Sequence, residues 1–207
     1  LSVLTLGMTS CEMDLKPYNA IPDTEALQSY NDFKNMRVGI YSPLRTVNSG
    51  TFLLTSEIMT DNFNAMVGFS NSYGDMYRWQ FNPQTSDFET IWADYQIMIG
   101  RCNYIIQNAA LLDLTDTEKL SETQVTEIKQ VIGEAHFIRA YALFNLAQYF
   151  CADYEASTAD KAHSGVAFST VYAPTSDNSK YPGRSTLAET YAQIKSDIQA
   201  AKPLINR

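Results

Sequence analysis

Along most of this chain apolar residues return at intervals of three and four, the period of an α-helix with one buried face. The clearest run lies between 87 and 112. Trp92, Tyr95, Ile99, Cys102, Ile106 and Ala109 follow one another at steps of 3, 4, 3, 4 and 3, and Ile91, Met98, Ile105 and Leu112 form a second row at every seventh residue. Two adjacent rows make a wide stripe, so this helix should pack against more than one partner. Ser86 and Glu89 have capping-box spacing at its start.

A second long helix is predicted over about 122–150. Its end, GEAHFIRAYALFNLAQYF, is apolar nearly all round. Glu134, Asn145 and Gln148 share a narrow polar strip, with His136 and Arg139 on the other side. Such a helix must be surrounded, so several helical layers are expected, with Ile138, Tyr141 and Phe144 nearly fully buried. An earlier helix should run from a cap at Asp23 or Thr24 to about Tyr41, burying Leu27, Tyr30, Phe33, Met36 and Ile40, until Pro43 ends it. Residues 51–63 make another. The last helix begins near Thr186, where Thr186 and Glu189 form a capping box. It buries Leu187, Tyr191, Ile194, Ile198 and Ala201, and stops at Pro203.

Between these helices, 64–87 and 151–184 lack any period and read as long irregular loops, the first with room for one short strand. The fold class is therefore all-α, with helix pairs packed in the manner of an α-solenoid, although no clean 34-residue repeat is visible.

The front of the chain is different. LSVLTLGMTS is apolar and then small, and it stops at Cys11, after which Glu12 and Asp14 follow. It is about half the length of a membrane-spanning helix, which needs roughly 20 residues. It has the form of a signal-peptide hydrophobic region. Met8-Thr9-Ser10-Cys11 resembles a lipobox, in which Cys11 becomes an acylated N-terminus. The alternative is an ordinary buried cysteine after a short apolar strand. The expected organisation is a residual signal peptide at 1–10, a lipidated tether at 11–22 containing two prolines, and one helical domain at 23–207.

Composition narrows the function. The 207 residues carry a formal charge of -8 and no Lys/Arg run, which argues against nucleic acid. Cys102 and Cys151 sit in apolar helical patterns and read as free thiols. His136 and His163 belong to no visible metal or catalytic cluster, and no glycine-rich phosphate loop precedes a helix. No enzyme activity and no cofactor are expected. Glu134 and Arg139 read as a buried polar network holding helices together, and Trp92 as a structural residue of its stripe.

Aromatics make up 12% of the chain, and several lie outside any helical pattern. Tyr73, Tyr77 and Trp79 stand among Asn71, Asp75 and Arg78 in the aperiodic stretch. A sugar needs flat apolar rings for its C–H faces and flanking partners for its hydroxyls, which this mixture supplies. The same rings could equally pack an irregular segment.

Four stretches together are similar to the SusD/RagB family, nutrient-binding lipoproteins of the outer membrane in Bacteroidetes-type bacteria. They are the lipobox with EMDLKP; IWADYQIMIGRCNYIIQNA, through Trp92, Tyr95, Ile99 (or Met98) and Asn103; GEAHFIRAYALFNLAQYF; and GRSTLAETYAQIKSDIQAA, with Ile198 in place of a leucine. Ala167 stands where the family often has a proline. The resemblance implies tetratricopeptide-like helix pairs, with a C-terminal part of the family missing here. It implies a non-enzymatic, surface-exposed protein that binds oligosaccharide and delivers it to a TonB-dependent, SusC-like transporter. The alternative is a helical-repeat lipoprotein that binds peptide or protein.

Overall fold

A computed structural model describes residues 27–64, 66, 68, 70, 72–82 and 84–205. Cys11, the 1–22 segments, the proposed cap at Asp23 or Thr24, and Asn71 lie outside the described residues. The helices are α1 (Tyr30–Val47), α2 (Thr51–Met59), α3 (Gly74–Tyr77), α4 (Ser86–Ala109), α5 (Glu122–Phe150) and α6 (Leu187–Ala201). Among the described residues there is no strand, and the extended pairing is an isolated bridge between Ala167 and Arg184.

Helix α5 is the hub. It is antiparallel to α4, with Phe88 and Trp92 beside Phe150 at one end and Asn103 beside Arg139 further along. It is antiparallel to α6 as well, where Gly133 leaves room for Leu204 and Arg139 meets Asp197. On its third side the chain runs parallel to it at a constant offset of 97 residues: Tyr30 with Glu127, Arg37 with Glu134, and Phe52 with Tyr149. The buried side chains Phe33, Ile40, Tyr95, Met98, Ile105, Ile138, Leu143 and Leu146 form one core between these layers. This is the expected all-helical, tetratricopeptide-like packing.

Several expectations are corrected. Helix α1 starts at Tyr30, capped by a Ser29–Asp32 box, and runs through Pro43 to Val47. Proline lacks the N–H that would bond the Gly39 carbonyl one turn back. Arg101 on α4 supplies the missing donor, its Nη1 lying 2.7 Å from that oxygen, so the helix continues. Helix α2 ends at Met59 rather than 63. The Ser86–Glu89 box does not form: Ser86 is already helical, and the cap residue Thr85 makes no side-chain capping bond. The aperiodic stretch holds the single turn of α3 instead of a strand.

Burial on α5 and α6 also departs from the periodic reading. Ile138 is buried, but Phe144 is 44% exposed and Phe137, two turns earlier, 50%. Tyr141 is half-buried, its hydroxyl donating to Asn48 at 2.7 Å. The reason is that Glu134, a member of the narrow polar strip, is buried against Arg37, in keeping with its reading as a buried polar residue. The strip left uncovered therefore carries the phenylalanines. Ile198 is exposed too, because Asp197 takes the inward position beside it.

The Arg101 contact gives a direct test. Arg101→Ala should cost about 1 kcal/mol in chemical denaturation, since it orphans a helical carbonyl. In a Pro43→Ala background, where the backbone N–H returns, the same change should cost almost nothing. Equal losses in both backgrounds would refute the substitution of one donor for the other.

Candidate functional site

Because α4 and α5 are antiparallel, the start of α4 lies beside the end of α5. The end of α2 and the segment 79–82 close in from the other side. They enclose an open groove of about 970 Å³, whose lining includes Trp79, Phe81, Phe88, Trp92, Tyr149 and Phe150. The rings form a connected row. Trp79 and Phe81 centroids are 5.9 Å apart, Phe81 and Phe88 4.9 Å, Phe88 and Phe150 6.4 Å, and Trp92 and Phe150 5.1 Å. Offset and edge contacts of this kind hold rings in fixed orientations.

Trp79, like Asp61, Ser70, Tyr73 and His163, has a left-handed backbone. After α3 the Gln80 N–H bonds the Asp75 carbonyl at 2.7 Å and the Trp79 N–H bonds the Met76 carbonyl at 3.0 Å. This pair of bonds is a Schellman motif, and its left-handed position is usually glycine. Here Trp79 occupies it at φ +55°. A left-handed backbone costs a residue with a Cβ about 1 kcal/mol. The ring so placed is 62% exposed at the groove edge. Strain combined with exposure at a large apolar residue points to a role other than packing.

The other residues singled out in the sequence lie elsewhere. Tyr73 is half-buried and shares a hydrogen bond of 3.0 Å with the Thr51 hydroxyl. Tyr77 donates to Asn64 Oδ1 at 3.1 Å. Asp75 pairs with Arg78 at 2.9 Å on the surface. Of that cluster, Trp79 alone among the described residues lines the groove. Its companions are Phe81, Phe88, Trp92 and Phe150, which periodicity assigned to helix faces or left unremarked. Trp92 is half-buried and faces the groove rather than lying wholly in the core. The signal was present: an antiparallel pairing of the two longest helices brings the aromatics of 79–92 onto those of 149–150.

Polar groups rim the rings. Asn145 commits its Nδ2 to the Tyr141 carbonyl at 2.8 Å, and Gln148 donates to the Tyr191 hydroxyl at 3.3 Å. Asn82 accepts from the Gln84 N–H at 2.8 Å. Glu89 adds a carboxylate from the first turns of α4. The Tyr149 hydroxyl donates inward to the Phe52 carbonyl at 2.5 Å. Burial pushes its phenol up, against the lowering influence of Ser56, so it stays protonated and only its ring faces the groove.

Arg184 secures the groove floor. Its Nη2 donates to the Phe150 carbonyl at 2.9 Å and its Nε to the Gly165 carbonyl at 2.7 Å. One side chain thus ties the end of α5 to the loop that precedes α6. Cys102 and Cys151 are free. Burial pushes the Cys102 thiol up to about 12. It raises Cys151 as well, with Arg184 opposing it. Neither has the lowered pKa of a nucleophile.

Glu134 and Arg139 are both buried, but they belong to two separate networks. Glu134 accepts from Arg37 at 2.5 and 2.7 Å and from Gln130 at 3.0 Å. Arg139 donates to Asp197 at 2.5 and 2.8 Å and to Asn103 at 2.8 Å. Neither network touches the groove.

Residues 13–207 match a SusD-like family described as starch-binding and associating with the outer membrane. In architecture the chain is similar to a candidate sugar-binding protein from Bacteroides vulgatus ATCC 8482, at 22% identity and TM-score 0.66, covering 87% of this chain and 38% of that one. It is also similar to a SusD-like protein from Bacteroides fragilis NCTC 9343, at 19% identity and TM-score 0.54, covering 84% of this chain and 29% of that one. The chain thus spans well under half the length of these structures. Among curated proteins, none matches it significantly.

Proposed function

The chain belongs to the SusD-like family, and from that premise we propose that it is a glycan-binding protein of the outer membrane, which takes its ligand in the groove edged by Trp79. In this reading Cys11 carries the lipid anchor, the protein faces the cell exterior, and the captured oligosaccharide passes to a TonB-dependent, SusC-like transporter. The observation that carries the site is Trp79. An exposed indole is held at a backbone position that favours glycine, at the end of a row of rings, with amides along the border. Sugar C–H faces stack on such rings while hydroxyls bond the amides.

The same strain supplies an unusually clean test. Trp79→Gly removes the ring and places the favoured residue in the Schellman turn. Stability should hold or rise slightly. Affinity for a bound oligosaccharide, titrated first with maltooligosaccharides by calorimetry, should fall roughly tenfold, or about 1.4 kcal/mol. Unchanged affinity in a stable Trp79→Gly protein would remove the groove from the binding site.

A further inference from the structure

We propose that the groove selects uncharged, hydroxyl-rich oligosaccharides and rejects those bearing uronate or sulfate groups, with Glu89 as the discriminating charge. This deepens the glycan reading above and rests on it.

Among the described residues the lining contains no lysine or arginine and one carboxylate, Glu89. The nearest arginine in sequence to the groove edge, Arg78, is engaged with Asp75 at 2.9 Å and Gln80 at 3.2 Å. An anionic sugar is bound through charged donors, usually the fork of an arginine. The groove offers the opposite. Asn145 and Gln148 each donate one amide N–H within the protein, to the Tyr141 carbonyl and the Tyr191 hydroxyl, and each keeps a second N–H and an amide oxygen, so both are neutral partners for sugar hydroxyls. The Glu89 carboxylate only accepts, so it requires a donor from the ligand. Sugar hydroxyls donate, whereas carboxylate and sulfate oxygens cannot. The formal charge of -8 acts in the same direction at longer range.

The test compares matched backbones that differ in charge: dextran with dextran sulfate, and fully methyl-esterified oligogalacturonates with the free acids. Binding is measured on the full protein at low and high salt. The neutral member of a pair should bind and its anionic counterpart should be at least fivefold weaker at low salt, the gap narrowing at 1 M as charge is screened. Glu89→Lys should raise affinity for the anionic member about fivefold at low salt, with Glu89→Gln between the two. An anionic member that binds as tightly as its neutral partner, with Trp79→Gly still weakening both, overturns the selectivity and leaves the glycan reading standing. A neutral-to-anionic ratio unmoved by Glu89→Lys overturns the role of Glu89. Failure of every glycan to bind overturns the selectivity together with the reading beneath it.

Discussion

Gly165→Ala is expected to lower stability by on the order of 3 kcal/mol or more, the upper part of the range for overpacking. A Cβ at Gly165 would lie 2.2 Å from the Thr186 carbonyl oxygen and 2.4 Å from Thr190 Oγ1. The first of these is backbone at the N-cap of α6 and cannot swing aside. The surrounding bonds fix it further: Gly165 N–H to the Ser185 carbonyl at 2.8 Å, and Val166 N–H to Thr190 Oγ1 at 3.1 Å. Relief therefore requires the loop to leave the helix. That would also carry off the Gly165 carbonyl, which Arg184 holds together with that of Phe150. Thermal unfolding should shift down by roughly 10 °C, at about 2–4 °C per kcal/mol for a chain of this size. Gly183→Ala, where the added Cβ would meet nothing within 4 Å, is the matched control. A Gly165→Ala protein as stable as that control would contradict the close approach.

The close approach of Gly165 to α6 has no local signal in the sequence. The residue lies in a tract with no period, so nothing local marked which helix it would touch. Where a signal was local, it was legible. The 3–4 spacing of α4, the long apolar α5, and the Thr186–Glu189 capping box, whose two bonds are 2.8 and 3.1 Å, all follow from neighbours within a turn or two. Pro43 misled because the group that rescues Gly39 comes from Arg101, 62 residues away. Phe144 and Ile198 misled because apolarity fixes only a preference for burial. Which face is covered depended on Glu134 and Asp197 finding charged partners. For the candidate groove, composition singled out one loop that borders it and, within that loop, Trp79. It could not see that Tyr73 and Tyr77 spend their hydroxyls on Thr51 and Asn64. Nor could it see that the other rings come from two helix ends.

The three helical stretches that carry the family resemblance converge on one place, and the second large effect is expected there. Asn103 from α4, Arg139 from α5 and Asp197 from α6 form a buried network, joined by His136 Nδ1 at 2.8 Å and Gln193 at 3.1 Å from the Asp197 carboxylate. The network reaches outward as well. Asn103 donates to the Ser169 carbonyl at 2.7 Å, which pins the loop between α5 and α6. Asp197→Ala leaves the Arg139 guanidinium buried without its counter-charge, and should cost about 3–5 kcal/mol. Replacing both residues, as in Arg139→Met with Asp197→Leu, should cost less than the single change, because no charge is then stranded. The network also sets a pH dependence. Burial alone would push the Asp197 carboxyl up, but hydrogen bonds from His136, Arg139 and Gln193 with the Arg139 charge outweigh it and hold it below the usual range. In the unfolded chain this carboxyl titrates near 3.9. A group depressed by folding stabilises fully above its unfolded value and loses that contribution as pH falls through its folded one. Stability should therefore be flat in this respect above about pH 5 and drop below about pH 4. Denaturation at stepped pH should show a shallower acid slope in Asp197→Asn than in the parent protein. Parallel slopes, or a loss under about 1 kcal/mol for Asp197→Ala, would show that the three helices are held by their apolar faces alone.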